Sequence, residues 1–337
     1  MKASTLSAIC IAIVLVVVVA GEMYAYIPDD RGFSADAGYD GTTVDYDVSA
    51  KGAYTYRSTL FDNGGMVPVS RVYIYLDSDY ASFVDDGKVV AVGSQALTQE
   101  YYVDQLEKNL KIRGIDDITI VNAAELKDAL TAGEPAGKGL VIASGAAPDT
   151  VFGASNDILI DWINGGGYLY WAAGPIGLFS ATPDGLVTVN RMTDFIGTDS
   201  YVDDNGRCLE DTDLRPILYY NYMYARYAPD IDAVRDSGRT VLGTGYTDGE
   251  GHYTVTCVRI GAGQVCIHSG DYNNEQIQDI SISVCSGLCP LTKVVDTKEA
   301  KFNRSASGTF ETAVPAGMSV YIYIGQYYPV FGERFDL

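Results

Sequence analysis

Histidine is nearly missing from this chain. His252 and His268 are the whole supply, so any imidazole acid–base or metal chemistry rests on those two side chains. Tryptophan is equally scarce, with two residues. Basic residues are outnumbered: 23 Lys and Arg face 44 Asp and Glu, for a net charge of -21. Phosphate backbones are held by basic faces, so a nucleic-acid partner is excluded. A phosphate-cradling glycine loop is also lacking. Asn63-Gly64-Gly65 precedes the first core strand, and Gly165-Gly166-Gly167 ends a helical stretch instead of opening one, whereas such a loop links a strand to a helix N-terminus. Low-complexity linkers and solenoid repeats are absent as well. What the chain does have is 337 residues, 47% of them hydrophobic. That suffices for a sizeable core in one large domain or two modest ones, and it excludes wholesale disorder.

The longest apolar run is N-terminal. Charge is absent between Lys2 and Glu22, and Ile9 to Ala20 is almost wholly aliphatic. As a helix rising ~1.5 Å per residue, the run matches a bilayer core of ~30 Å. Tyr24 and Tyr26 follow at the place of an interfacial aromatic belt. The expectation is a single-pass transmembrane helix over residues 1–27 in the cell membrane, with an extracellular, cell-surface body. The alternative is a signal peptide cleaved after Val18-Val19-Ala20, leaving a secreted protein.

Export makes the cysteines matter. Beyond Cys10, which lies in the apolar run, they are Cys208, Cys257, Cys266, Cys285 and Cys289. This odd number allows at most two intrachain disulfides. The disulfide candidates are Cys257, Cys266, Cys285 and Cys289, with buried thiols as the other reading. A two-residue Gly261-Ala262 hairpin loop places Cys257 directly opposite Cys266; a three-residue loop shifts the register by one and separates them. A zinc site is the alternative, but its spacing is usually tighter and it needs four ligands. Asn303-Arg304-Ser305 is a glycosylation sequon. The acidic residues, mostly aspartate, match no EF-hand spacing. No cofactor is therefore expected, with a divalent cation as the alternative.

Residues 28–68 read as β: Phe33 to Tyr39, Thr42 to Ser49 and Ala53 to Phe61 alternate between turns at Asp40-Gly41 and Asn63-Gly64. From 69 to 290 strands alternate with helices. Strands are expected at Arg71–Leu76, Lys88–Gly93, Ile118–Val121, Gly139–Ala143 and Tyr168–Ala172. Helices are expected at Leu97–Arg113, Ala123–Leu130 and Asn156–Asn164. This alternation predicts a flavodoxin-like, mostly parallel α/β core. Ile217 to Ala228 reads as helical, Thr240–Gly245, His252–Ile260 and Gln264–His268 as strands, and Asn274–Ser286 as a last helix. Residues 291–337 return to β. The two flanking β segments are expected to pair into a small β-sandwich, with separate β appendages as the alternative.

Gly139-Leu-Val-Ile-Ala-Ser-Gly145, followed by Asp161-Trp-Ile-Asn-Gly-Gly-Gly-Tyr-Leu-Tyr-Trp-Ala-Ala-Gly-Pro175, carries a resemblance. Strand, helix ending Trp-Ile-x-Gly-Gly, strand and small residues are similar to the class I glutamine amidotransferase-like superfamily, in its surface and glycosidase-associated members. Gly261 to Gly270 resembles that superfamily's late hairpin and strand. The resemblance implies a cysteine nucleophile on a turn after one of the two strands, with His and Glu after the late strand. Here the turns read Ser144-Gly145-Ala146 and Ala172-Ala173-Gly174, neither with Cys. His268 lies near the matching His position but is followed by Ser269-Gly270-Asp271. The resemblance therefore implies a degenerate, non-catalytic scaffold, since one triad member without a nucleophile is not a triad.

Ligands of such sheets sit beyond the carboxyl ends of the strands. The candidate ligand-binding residues there are Asp77, Asp79, Ser144, Gly145, Gly174, His268 and Asp271, suited to a cation or to sugar hydroxyls. His252 reads as an exposed hairpin residue. The expected function is a membrane-anchored, extracytoplasmic binding or interaction protein with no catalytic residue and a glycan or surface-protein partner. The alternatives are a structural envelope component joined through β edges, and a hydrolase of sugars or peptides.

Overall fold

The computed structural model describes residues 32–62, 68–83, 88–90, 96–210, 214, 223–269, 274–286, 293–311, 318–325 and 329–337. Two long alternating segments set the architecture. β1 (Ser34–Tyr39) turns at Asp40-Gly41 into β2 (Thr43–Asp62). Asp40 stabilises that turn: its Oδ1 accepts the Thr42 and Thr43 N–H groups at 2.8 Å, an Asx turn.

The central region then contributes β3 (Arg71–Tyr75), β4 (Asp117–Val121), β5 (Lys138–Ile142), β6 (Tyr168–Ala172), β7 (Val241–Thr244), β8 (Val255–Ile260) and β9 (Gly263–His268). The chain closes with β10 (Lys293–Glu311), β11 (Met318–Gly325) and β12 (Pro329–Asp336). The helices are α1 (Gln99–Lys111), α2 (Ala123–Thr131), α3 (Ile158–Asn164), α4 (Met192–Ile196), α5 (Ile231–Asp236) and α6 (Asn274–Cys285).

The chain ends form one five-stranded antiparallel sheet, ordered β1-β2-β11-β12, with β10 paired along β2. β2 is a single strand because its inward positions alternate: Val44, Tyr46, Val48 and Ala50 are buried while Asp45 and Asp47 are exposed. That period of two holds one face on a core. A break comes opposite Arg304, where the register with β10 shifts between Asn303 and Ser305. Gly52 (φ 129°) and Arg304 (φ 74°) both take left-handed conformations there, so the strand pair bends. β10 also bulges between Val294 and Asp296, and it carries Lys293, Lys298 and Lys301. Bulges and lysines are devices that keep an edge from pairing with another chain.

The second sheet is ordered β7-β8-β9-β6-β5-β3-β4. Its last five strands run parallel, while β7, β8 and β9 pair antiparallel. β6 is buried on both faces at every residue, which is why Tyr168-Leu-Tyr-Trp-Ala172 reads as an unbroken apolar run. One face packs under α1 and α6 through Tyr102, Leu106, Ile277 and Ile280. The other packs under α2, α3 and α4 through Leu126, Leu159, Trp162 and Phe195. α1 starts at Thr98, whose side chain accepts the Tyr101 N–H. α2 starts with a full capping box between Asn122 and Glu125.

Buried Arg113 links the helix pair α1 and α6 and faces the antiparallel sheet. Its Nη1 donates to the Asn109 carbonyl and to Asn109 Oδ1, both at 2.8 Å, and Nη2 donates to Gln278 of α6. Burial lowers its pKa, opposed by the facing Tyr321 of β11, Cys285 and Asp279. From β12, Arg334 reaches the carbonyls of Cys285 (3.3 Å) and Val69 (3.4 Å).

Several expectations are corrected. The flavodoxin-like, mostly parallel core with a β-sandwich does not describe the chain: strand is 47% and helix 20%, in a curled antiparallel sheet and mixed sheets. The flanks build one sheet instead of a two-sheet sandwich, because β2 and β10 are each a single long strand paired along its length. Ile217–Ala228 is not helical where it is described; Met223–Ala225 and Ala228–Pro229 are short strands. Alternating tyrosines suit a pleat as well as a helix face. Among the described residues no helix is long and apolar enough to cross a membrane. Residues 1–27 lie outside the described residues, so the transmembrane, cell-surface expectation has no structural support. Cys208, Cys257, Cys266 and Cys285 are buried; Cys289 lies outside the described residues. Cys257 does sit directly opposite Cys266, across a Gly261-Ala262 loop.

Gly263 lacks room for any side chain. A Cβ there would fall on the carbonyl oxygens of Gly167 and Ile163, which are backbone and cannot swing away. Gly263→Ala is expected to cost about 3 kcal/mol in urea unfolding. Gly38→Ala on β1, where a Cβ meets nothing within 4 Å, is expected to change stability by no more than ~0.5 kcal/mol.

Candidate functional site

The carboxyl ends of β3, β5, β6 and β9 lie along one edge of the mixed sheet. Six of the seven sequence candidates fall on that edge, and their roles differ. Asp77, after β3, is a structural group: Oδ2 accepts the Ala123 N–H at the start of α2 (3.0 Å) and Oδ1 accepts the Asp79 N–H (2.9 Å). Asp79 is exposed in that turn. Ser144, after β5, is buried; its hydroxyl donates to the Ala146 carbonyl at 2.8 Å. The Ser144 carbonyl accepts from Phe83 N–H and Ser82 Oγ, both at 3.0 Å.

Gly145 and Gly174 are platforms, with space instead of functional groups. Added Cβ atoms would strike Phe83 from both, at 2.8 Å and 2.7 Å. Gly145 also takes φ 70°, which glycine alone adopts without cost. Asp271 lies outside the described residues.

His268 ends β9, laterally paired with Val255 of β8 and Ala172 of β6. It is 2% exposed. Among the described residues, neither ring nitrogen has a hydrogen-bond partner. Its backbone carbonyl accepts from Gln276 Nε2 at 2.9 Å; Gln276 in turn accepts from Tyr102 OH at 2.7 Å. Burial alone drives the His268 pKa down to about 3, so the ring is neutral at physiological pH. One residue on, Ser269 is 6% exposed and its hydroxyl has no partner among the described residues.

Ala173, after β6, is a non-glycine residue at φ 82°. Its turn is held by the Trp171 indole N–H, which donates to the Gly174 carbonyl at 2.7 Å. Strain of this kind persists only where surrounding structure enforces it, and it clusters at functional sites.

The sequence reading missed the aromatic group above this edge. Phe83 stacks on Phe179 (centroids 5.5 Å, 27°) and meets Tyr227 edge-on (5.4 Å, 85°); Tyr227 lies 6.1 Å from Tyr201. All four rings are partly buried. Tyr227 is a second strained residue, at φ 58°. The Arg226 guanidinium lies 4.7 Å from the Tyr227 ring centroid, and the Arg226 N–H donates to the Ser269 carbonyl at 2.7 Å. This last bond ties the aromatic segment to the end of β9. Phe83, Phe179, Tyr201 and Tyr227 are scattered along the chain, so no local spacing reveals them.

His252 is corrected too. It is 4% exposed, not on the surface. Nδ1 lies 2.6 Å from Asp248 Oδ2, and Nε2 lies 3.1 Å and 3.2 Å from the Asp204 carbonyl and Oδ1. Burial works against ionised Asp248, but the Glu250 and His252 N–H donors and the facing imidazole outweigh it and lower its pKa. This cluster clasps the loops that carry Asp204 and Asp248. Among the described residues no group of three or more His, Cys, Asp or Glu could hold a metal ion.

No family model matches the chain, and no curated protein matches it. Among solved structures, a cytoplasmic protein of Salmonella typhimurium LT2 is 12% identical over 65% of this chain and 97% of its own, with a TM-score of 0.38. The β-galactosidase of the Antarctic haloarchaeon Halorubrum lacusprofundi is 17% identical over 66% of this chain and 30% of its own, at 0.37. The cold-adapted β-galactosidase of Rahnella sp. R3 is 14% identical over 77% of this chain and 36% of its own, at 0.38. This chain thus spans about a third of the two glycosidases it matches. Likenesses this low assign neither fold family nor activity, and none identifies the amidotransferase-like superfamily.

His268 has an energetic signature. Its folded pKa lies below the unfolded value of about 6.5. The unfolded state therefore binds the proton first, and stability is lost as pH falls from about 6.5 towards 3, by about 1.4 kcal/mol per unit. His268→Leu is expected to remove that contribution and to be neutral or stabilising at pH 7, because it deletes a buried polar group without partners. Urea unfolding of both proteins at pH 7 and pH 5 reads the difference; equal pH slopes would contradict the buried neutral imidazole.

Proposed function

We propose that this chain is a non-catalytic binding protein whose ligand sits at the carboxyl ends of the parallel strands. One observation carries the reading. The strained turn after β6, braced by Trp171, presents only the methyl group of Ala173 beside a neutral, buried His268. A strained turn next to an imidazole is a costly arrangement, and here it displays no nucleophile.

Further support comes from the remaining candidates. The Ser144 hydroxyl is engaged by its own turn. Burial pushes the Cys208 and Cys285 thiols up to about 12, so neither supplies a thiolate near neutral pH. Asp77 is committed to the first turn of α2. Structural self-assembly through a β edge is disfavoured by the bulges and lysines of β10.

The test is a turnover assay. Chromogenic glycosides and peptide substrates are expected to show no hydrolysis above background with the wild-type chain, Ser144→Ala or His268→Leu. Wild-type hydrolysis that either substitution abolishes would overturn the non-catalytic reading.

A further inference from the structure

Four features converge on one short stretch of this edge. The first is the group of partly buried rings, Phe83, Phe179, Tyr201 and Tyr227, in mutual contact. The second is the closeness with which they are seated: Phe83 lies against Gly145 and Gly174, where even a methyl group would not fit. The third is a pair of left-handed non-glycine residues, Ala173 and Tyr227. The fourth is a set of buried polar atoms without partners among the described residues, namely both His268 ring nitrogens and Ser269 Oγ. The Arg226 N–H bond to the Ser269 carbonyl holds the rings to the end of β9.

Buried polar groups are normally satisfied, so orphaned ones ask for an explanation. A neutral imidazole offers one donor and one acceptor, and a serine hydroxyl offers both. These groups complement hydroxyls, which also donate and accept, better than anions, which only accept. Successive strand residues face opposite sides of a sheet, so a ligand laid across the strand ends meets both His268 and Ser269. Aromatic faces provide the apolar surface that the C–H face of a pyranose covers, and tyrosine adds a polar tip. An anion is disfavoured further by the chain's net charge of -21. Arg226, a cation at this place, lies over one face of the Tyr227 ring and is held by Asp203, with a 2.9 Å bond to its carbonyl and a 3.7 Å approach to its carboxylate.

We propose that this edge binds a neutral saccharide. The aromatic group led by Tyr227 and Phe83 takes the apolar face of a sugar ring, and His268 with Ser269 takes its hydroxyls. The inference rests on the non-catalytic binding reading and names its ligand class.

Isothermal titration calorimetry of the full chain tests it, with maltose, cellobiose and lactose as neutral probes and glucuronate as the anionic one. At least one disaccharide is expected to bind saturably, more tightly than glucuronate. Tyr227→Ala and His268→Leu are each expected to weaken that binding at least tenfold. His268→Leu also separates a binding role from a structural one, because it leaves the fold as stable as wild type or more so while binding falls. Circular dichroism melts verify that both variants are folded. Absence of binding by all three disaccharides, tighter binding of glucuronate, or undiminished binding by both folded variants would overturn the saccharide assignment. Hydrolysis of a bound disaccharide would instead overturn the non-catalytic reading and leave the ligand class standing.

Discussion

The seat of the β8–β9 hairpin on the end of α3 fixes the geometry of the site. Gly261 takes φ 58° and packs against Asn164, Ala262 N–H donates to the Asn164 carbonyl at 3.0 Å, and Gly263 lies against the Gly167 and Ile163 backbone. Gly167 is itself pressed on the Trp162 ring. Contacts of backbone on backbone cannot slide by a residue without a clash. They therefore fix β9 against β6 in the register that pairs Gln264 with Tyr168 and, four residues on, His268 with Ala172. A slip of one residue would send every side chain of β9 to the opposite face.

From that register the site follows. His268 stops one residue short of the edge, and Ser269 sits at it. The strained Ala173 turn lies on the neighbouring strand, and Arg226 reaches Ser269 to carry Tyr227 over the same place. The orphaned polar atoms cost stability, as buried groups without partners do. Their retention beside two strained residues fits a site kept for a ligand at the expense of the fold. The Arg113 network ties α1 to α6 where they meet Tyr321 of the antiparallel sheet. Once one partner of such a buried polar cluster is lost, the others are left uncompensated.

Much of this was legible in the residues one at a time. The Tyr168–Ala172 strand, the helices near 99–111 and 123–131, and the opposition of Cys257 and Cys266 all follow from local period and turn chemistry. The two long strands were harder. The strands expected at Thr42–Ser49 and Ala53–Phe61 are one strand, because its pairing with β10 continues through a register shift between Asn303 and Ser305. Tyrosine-rich 217–228 misled because tyrosine alternation suits more than one period.

The sequence by itself determined the acidity, the scarcity of imidazole, the lack of a cysteine at either strand-end turn, and most element positions. These depend on composition and on neighbours a few residues apart. Only the tertiary structure decided that both chain ends share one sheet and that His252 is a clasp instead of a surface residue. It also showed Asp77 bracing α2, and it brought Phe83, Phe179, Tyr201 and Tyr227 together near the end of β9. The physical reason is separation. Contacts between residues far apart in the chain are set by strand order and register, and no local pattern encodes which distant partner a side chain will meet.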